Sequence, residues 1–328
     1  MTGIFGASTA ALLFFLFVVS VYLFAALALV RMALRRAGWL EAPSRPIGLA
    51  ERASLVLASL GVVCILYGYF VEPYWPEVTR VRVESTKLAG AARPVRLVHI
   101  SDLHCDPRPR LEERLPEIIA AERPDLIVFT GDSLNSPAGL PVFRKLMTSL
   151  ARIAPTYAAR GNWDAWYWRD IDLFGGTGVT ELKGGASELK VAGTSVWVAG
   201  APYASLHEPM RPGVEGDTPF RLLDGVPPGA FTVLLYHTPD EILEVAETRK
   251  VDLYCAGHTH GGQVALPVYG ALVTLSKFGK RYESGLHREG DTRLYVTRGV
   301  GMEGGSAPRV RFAARPEVTV IELAPPGS

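Results

Sequence analysis

The chain reads as an α/β domain preceded by a transmembrane helical hairpin, and three observations predict this. Two uncharged apolar runs lie within the first 72 residues. From about Val95 onward, short apolar runs alternate with helical patterns. Five of those short runs lead directly into an Asp, Asn or His.

The first element is Ile4–Val30, which carries no charge and consists mainly of Leu, Phe, Val, Ala and Tyr. As a helix rising ~1.5 Å per residue it exceeds the ~30 Å hydrocarbon core of a bilayer. Ala53–Val71, "ASLVLASLGVVCILYGYFV", is a second run of near-spanning length. Helices are therefore expected over about 4–30 and 53–71, with residues 1–72 as a membrane hairpin. A signal peptide would carry basic residues ahead of a shorter apolar stretch, but here the charges come after the run. Arg31, Arg35, Arg36, Arg45 and Arg52 lie between the two runs against Glu41 and Glu51. The positive-inside bias makes that link cytoplasmic and puts everything after Glu72 on the far side of the cell membrane. Tyr74 and Trp75 stand where an interfacial aromatic belt is expected. Residues 73–94 read as a linker and first strand, and 95–328 as the folded domain.

Charge narrows the partner classes. The whole chain has a net charge of +1, and residues 1–72 hold five arginines and three glutamates, which leaves −1 for the remainder. That remainder shows no basic stripe, which argues against a nucleic-acid partner. Cys64, Cys105 and Cys255 are isolated from one another and form no disulfide framework.

The domain elements share a repeating plan. "VRLVHIS" leads into Asp102 and His104, "DLIVFTG" into Asp132, "TYAARG" into Asn162, "FTVLLY" into His237, and "DLYCAG" into His258 and His260. Between them lie helical patterns over Leu111–Glu122, Pro141–Ala151 and Asp240–Thr248. Near-continuous apolar strands alternating with helices imply a sheet covered on its faces, and ligands then bind beyond the carboxyl ends of the strands. All seven polar groups fall at that end. A mixed oxygen and nitrogen set without thiolate suits Mn, Fe or Zn. Seven donors are too many for one tetrahedral ion and suit two divalent metal ions that share a carboxylate, a device used in phosphoryl hydrolysis.

Together "SDLH" 101–104, "GDS" 131–133, "GNWD" 161–164, "YH" 236–237 and "GHTH" 257–260 resemble the motif series of the calcineurin-like metallophosphoesterases. The resemblance runs from about Val95 to Leu323. With the apolar N-terminal runs, "GHTHGGQ" and "GVGMEGG" 299–305, it is similar to the membrane-anchored branch, which includes bacterial phosphodiesterases and UDP-2,3-diacylglucosamine hydrolases. The resemblance implies a two-sheet sandwich flanked by helices. It implies that Asp102, His104 and His260 hold one ion, that Asn162, His237 and His258 hold the other, and that Asp132 bridges them. A hydroxide shared by the two ions is the implied nucleophile. The expected activity is hydrolysis of a phosphodiester or phosphoanhydride, on a substrate that the anchor suggests is lipid-linked. The alternatives are a phosphomonoesterase and a catalytically silent metal-binding module.

One position departs from the family pattern. Trp163 stands where the family usually has a histidine that protonates the leaving group, and an indole N–H only donates a hydrogen bond. A leaving group that is itself a weak base would need no such acid. Asp164 reads either as a support for the ligands or as a solvated loop carboxylate. His99 is expected inside the sheet, while His207 and His287 fall in loop-like sequence, with His207 also a weaker candidate for substrate contact. Lys280 and Arg281 read as a solvated basic loop or a phosphate contact. Trp166, Tyr167 and Trp168 read as loop packing or as an apolar wall for a lipid tail.

Overall fold

The computed structural model describes residues 9–41, 48–203, 221–305 and 308–327. His207 and Arg45 lie outside the described residues. Helices α1 (Thr9–Arg36) and α2 (Leu49–Phe70) form the N-terminal hairpin, and both are long and apolar enough to cross a membrane. They extend beyond the uncharged runs because arginine is a good helix former, and Arg35 and Arg36 in the last turn of α1 complement its dipole. Gly61 of α2 sits against the Tyr22 hydroxyl of α1, where an added Cβ would lie 2.5 Å from it. Arg31 pairs with Glu51 across the turn at 3.1 Å. Outside this contact the leucines, valines and phenylalanines of both helices are exposed all round, including Leu13, Phe17, Phe24, Leu57 and Val63.

Two six-stranded sheets make the domain. The first runs β1 (Glu77–Glu84), β14 (Glu317–Ala324), β2 (Val95–Ile100), β3 (Leu126–Phe129), β4 (Thr156–Ala158), β5 (Thr180–Glu181). The second runs β12 (Gly285–Glu289), β13 (Thr292–Val296), β9 (Leu253–Ala256), β8 (Phe231–Leu235), β7 (Thr194–Gly200), β6 (Gly185–Val191). β2, β3, β4 and β5 are parallel, as are β7, β8, β9 and β13, so the carboxyl ends of the central strands of each sheet point one way. A two-stranded ribbon, β10 (Ala265–Leu266) with β11 (Gly270–Ala271), stands apart.

Alternation along each strand divides the core into three layers. Leu97, Leu126 and Val128 meet Val198, Val233, Leu235 and Cys255 between the sheets. Val98, Ile100, Ile127 and Phe129 face outward onto α3 (Leu115–Ala121) and α4 (Leu140–Ile153), where Phe143, Leu146, Met147 and Leu150 form one buried helix face. Leu234, Tyr236, Tyr254 and Ala256 pack on α6 (Ile242–Thr248) through Ile242 and Val245. His99 lies in the inter-sheet layer, fully buried, with its Nε2 2.8 Å from the Thr130 hydroxyl and its ring edge-on to Tyr295.

Two helices start later than their apolar patterns. The pattern from Leu111 becomes regular helix only at Leu115, because Pro116 has no N–H to give to residue 112 and is tolerated only in a first turn. α6 likewise begins after Pro239, at Ile242. The stretch after Glu72 is no free linker. β1 pairs along its full length with β14, from Glu77 opposite Glu317 to Glu84 opposite Ala324.

Candidate metal centre

Each of the five central strands delivers its polar residue within a few positions of its end. Asp102 and His104 come after β2, Asp132 after β3, and Asn162 opens α5 (Asn162–Tyr167) after β4. His237 comes after β8, and His258 and His260 after β9. Backbone bonds continue the sheets into these loops: Asp102 N to Gly131 O (2.9 Å), His104 N to Asp132 O (3.0 Å) and Gly257 N to His237 O (2.8 Å). The two sheets are joined at the site where the His258 N–H donates to both oxygens of Asp102, at 3.1 and 3.2 Å.

The backbone here is unusual. Asp102, His104, Asp132, His258 and His260 all have positive φ, between 42° and 71°. Non-glycine residues adopt that region at a cost of about 1–3 kcal/mol each, and such strain gathers at functional sites. Gly257 makes room for it: a Cβ there would collide with the Asp102 carboxylate.

The side chains converge. Ligand atoms of Asp102, His104 and His260 lie within 4.8 Å of one another, and so do those of Asp102, Asp132 and His237. Asp132 Oδ2 is 3.5 Å from His104 Nε2 and 3.3 Å from His237 Nε2. The other oxygen of Asp132, Oδ1, accepts the Trp163 N–H at 2.9 Å, which turns Oδ2 toward both histidines. His260 Nε2 is 3.4 Å from Asp102 Oδ1, and His258 Nδ1 is 2.9 Å from Asn162 Oδ1. Asp102 thus stands in both clusters, in addition to Asp132 between them.

Electrostatics favours a cation in this space. Burial pushes His104 and His258 down to about 4 and His260 well below the usual range, so all three are neutral imidazoles. Burial also favours neutral His237, but the negative charge of Asp132 close to its Nε2 outweighs it and raises the ring to about 9. Asp132 resists burial for the same reason and is held at about 2. Burial raises Asp102 to about 7 against the pull of His237. Both ring nitrogens of His104 and the Nε2 of His237 are buried without a hydrogen-bond partner. Buried polar atoms left unpaired are costly, and a divalent ion would take up the lone pair of His104 Nε2 and, in place of its proton, that of His237 Nε2. The His237 Nδ1 is already 2.7 Å from the Thr130 carbonyl, which fixes its proton there and leaves Nε2 free to ligate.

Asp164 is fully buried and accepts three backbone N–H groups, from Asp132 (2.9 Å), Ser133 (3.0 Å) and Gly161 (2.9 Å). It clamps the Asp132 loop to the first turn of α5, which excludes a solvated loop carboxylate. Trp163 is half-buried, edge-on to His104 with ring centres 5.0 Å apart. From it an aromatic row continues to Tyr167 (5.1 Å), and Trp166 reaches Tyr203 (5.6 Å), with Trp166 and Tyr167 well exposed. Trp168 instead packs inward and donates its indole N–H to Leu134 O. Lys280 and Arg281 are committed to Glu283 and Glu289, and His287 reaches the Ser284 carbonyl.

Three polar residues at the site escape a sequence reading. Asn135 donates to His104 O (2.9 Å) and accepts the Gly304 N–H (3.0 Å), fastening the 299–305 loop to the ligands. Arg311, fully buried, donates to Gly301, Ala314 and Arg298 carbonyls, with its Nη2 3.4 Å from His260 Nδ1. Gln263 bridges the Glu303 N–H and the Pro308 carbonyl. Asn135 and Gln263 lie two residues past "GDS" and at the end of "GHTHGGQ", which is their only local signal; Arg311 has none.

Comparison with known proteins agrees with this geometry. A family profile described as calcineurin-like phosphoesterase matches residues 95–262. The metallophosphoesterase YkuE of Bacillus subtilis is 33% identical over 271 residues, covering 78% of this chain and 89% of its own. Phosphodiesterase YaeI of Escherichia coli is 32% identical over 273 residues, covering 78% of this chain and 92% of its own. The UDP-2,3-diacylglucosamine pyrophosphatase LpxG of Chlamydia trachomatis is 26% identical over 330 residues, covering 84% and 97%. A family that uses divalent metals, and a buried Asp/His cluster shaped to take them, lead to one conclusion: this chain belongs to the calcineurin-like phosphoesterases and is a metal-dependent phosphoric ester hydrolase.

Proposed function

We propose that the protein is a membrane-anchored phosphoesterase in which Asp102, His104, Asp132, Asn162, His237, His258 and His260 hold two divalent metal ions and cleave a phosphodiester or phosphoanhydride. The observation that carries the reading is Asp132 Oδ2, poised between His104 Nε2 and His237 Nε2 while its partner oxygen is tied to the Trp163 amide. One carboxylate oxygen is thereby offered to two adjacent positions. When bound, such a pair supplies Lewis-acid polarisation of phosphoryl oxygens and makes water acidic enough to deprotonate near neutral pH.

The chain's own residues do the rest. Asp164 and Asn135 hold the loops of Asp132 and His104 in place before substrate arrives. The Thr130 carbonyl keeps the proton of His237 on Nδ1, away from the reacting atoms. Trp163 closes one side of the site against His104 and gives no proton to a departing group. That favours leaving groups that are already weak bases, such as the phosphate half of an anhydride or an acidic alcohol. A monoester of a basic alcohol is the weaker alternative for the same reason.

The row of half-buried Trp163 with exposed Tyr167 and Trp166 gives an apolar or stacking surface beside the site, which supports a hydrophobic or nucleobase-bearing substrate. LpxG, whose substrate joins both features, is among the relatives. We assign residues 1–72 as a two-span anchor, 73–94 as the connection that carries β1, and 95–328 as the catalytic domain. The arginine-rich link supports a cytoplasmic turn and an extracytoplasmic site, whereas a nucleotide-linked lipid would be met in the cytoplasm, so that substrate goes with the reverse orientation. A C-terminal alkaline phosphatase or green fluorescent protein fusion tests this: fluorescence without phosphatase activity would reverse the orientation. For the activity, purified full-length protein in detergent should hydrolyse bis-p-nitrophenyl phosphate with added Mn²⁺ and stop after chelation. No turnover with Mn²⁺, Fe²⁺ or Zn²⁺ would contradict the assignment.

A further inference from the structure

The ribbon β10–β11 is the least explained part of the surface. Its tip exposes Val268 completely, and Tyr269, Val273 and Leu275 beside it are each more than two-fifths exposed. Val268 also has φ of 71°, a conformation that a β-branched residue adopts only under strain. Neither feature helps a domain surrounded by water, and the ribbon takes no part in the ligand cluster.

Its root explains it. Ala265 N donates to Phe312 O (2.8 Å), and Phe312 N donates to Gln263 O (3.1 Å). The Phe312 ring in turn packs edge-on against Tyr67 of α2 at 6.1 Å, and the Arg311 N–H bonds the Gly68 carbonyl of α2 at 2.9 Å. Tyr67 and Gly68 lie in the last turn of α2, which ends at Phe70. Just beyond, Glu72 accepts the Ala313 and Ala314 N–H groups, and Arg315 stacks on the half-exposed Trp75 at 4.2 Å. The ribbon therefore springs from a segment seated on the end of the apolar hairpin. Two strand residues and a tip residue extend ~10 Å, the depth of a membrane interface. Lys280 lies 4.4 Å from the Tyr269 ring, a cation beside an aromatic, as interfacial anchors are arranged.

We infer that the β10–β11 ribbon and the segment just after it form a second membrane contact, with Val268 and Tyr269 of the tip and Val273 and Leu275 beyond β11 inserted in the lipid interface beside the exit of α2. It rests on the anchor reading above, and its occupant is the bilayer that receives α1 and α2. His260 is five residues before the ribbon, and Arg311 touches Gly68 with its backbone and His260 with its side chain. The ligand cluster thus lies one residue, Arg311, from the last turn of α2.

Depth-sensitive spin labelling of the full-length chain tests the inference. The protein is reconstituted in nanodiscs of phosphatidylethanolamine and phosphatidylglycerol. Cys64 in α2 is labelled as the anchor reference; Cys105 and Cys255 are buried and stay unlabelled. In a Cys64→Ala background, labels are placed by Val268→Cys and, independently, by Val273→Cys. A label at the exposed Asp291→Cys position gives the aqueous reference. The expected result is oxygen accessibility above that of a nickel chelate at Cys64 and at both ribbon positions, and the reverse at Asp291. Ribbon labels that match Asp291 while Cys64 remains in lipid would overturn the second contact and leave the anchor intact. Aqueous behaviour at Cys64 as well would overturn the anchor and the ribbon contact together.

Discussion

Beneath Asp132, a single buried carboxylate accepts three backbone N–H groups; on α2, Leu57 and Val63 face outward and hold nothing in place. The ligand cluster is specified atom by atom, with five of its seven proposed ligands in left-handed backbone and its loops bonded across both sheets. The hairpin is specified by composition, since on the proposed lipid-facing surface any apolar side chain serves. Substitutions in the two regions should therefore differ in cost by orders of magnitude, even where equal volumes are removed.

The largest effect is expected at Asp132. Asp132→Asn should lower turnover at least about a hundredfold, the scale of losing one preorganised electrostatic contact, and should reduce metal content at both positions. Near-normal turnover with two bound ions would remove Asp132 from the bridging role. Next is Asp164→Ala, which strands three buried donors at about 1–3 kcal/mol each. Thermal denaturation monitored by circular dichroism should shift down by about 2–4 °C for each kcal/mol lost, and Asp164→Asn should recover part of it.

Trp163→His sharpens the comparison within the site. A possible acid beside Asn162 should raise rates for basic leaving groups by up to about a hundredfold, the lower range for general acid catalysis. A plot of log rate against leaving-group pKa should then be shallower than for the parent. Equal slopes would show that residue 163 does not control protonation. The smallest effect belongs to the hairpin. Leu57→Ala and Val63→Ala should leave the hydrolysis of a soluble diester unchanged within about twofold, as surface substitutions generally do.

The same contrast decides what a sequence discloses. Five strands and the polar residue after each were legible because a strand covered on both faces is an unbroken apolar run, and the polar residue just past its end must lie at the sheet's open edge. The hairpin was legible by its lack of charge. Illegible were the contacts that join distant segments: β1 with β14, 240 residues apart at Glu77 and Glu317, and the Arg311 plug between α2 and His260. The second arginine of "RVRF" looks like any solvated cation until a fold buries it. Asp164 was ambiguous for a related reason, since a carboxylate three residues into a short helix either caps it or meets water, and only the neighbouring loop decides.

The central claim, that two ions share Asp132, is tested most directly by titrating metal-free full-length protein with Mn²⁺ and recording electron paramagnetic resonance. Ions ~3.5–4 Å apart on a shared carboxylate are magnetically coupled. The account predicts two Mn²⁺ per chain at saturation with an exchange-coupled spectrum, and loss of that coupling in Asp132→Asn. One Mn²⁺ per chain with an uncoupled six-line spectrum would contradict it.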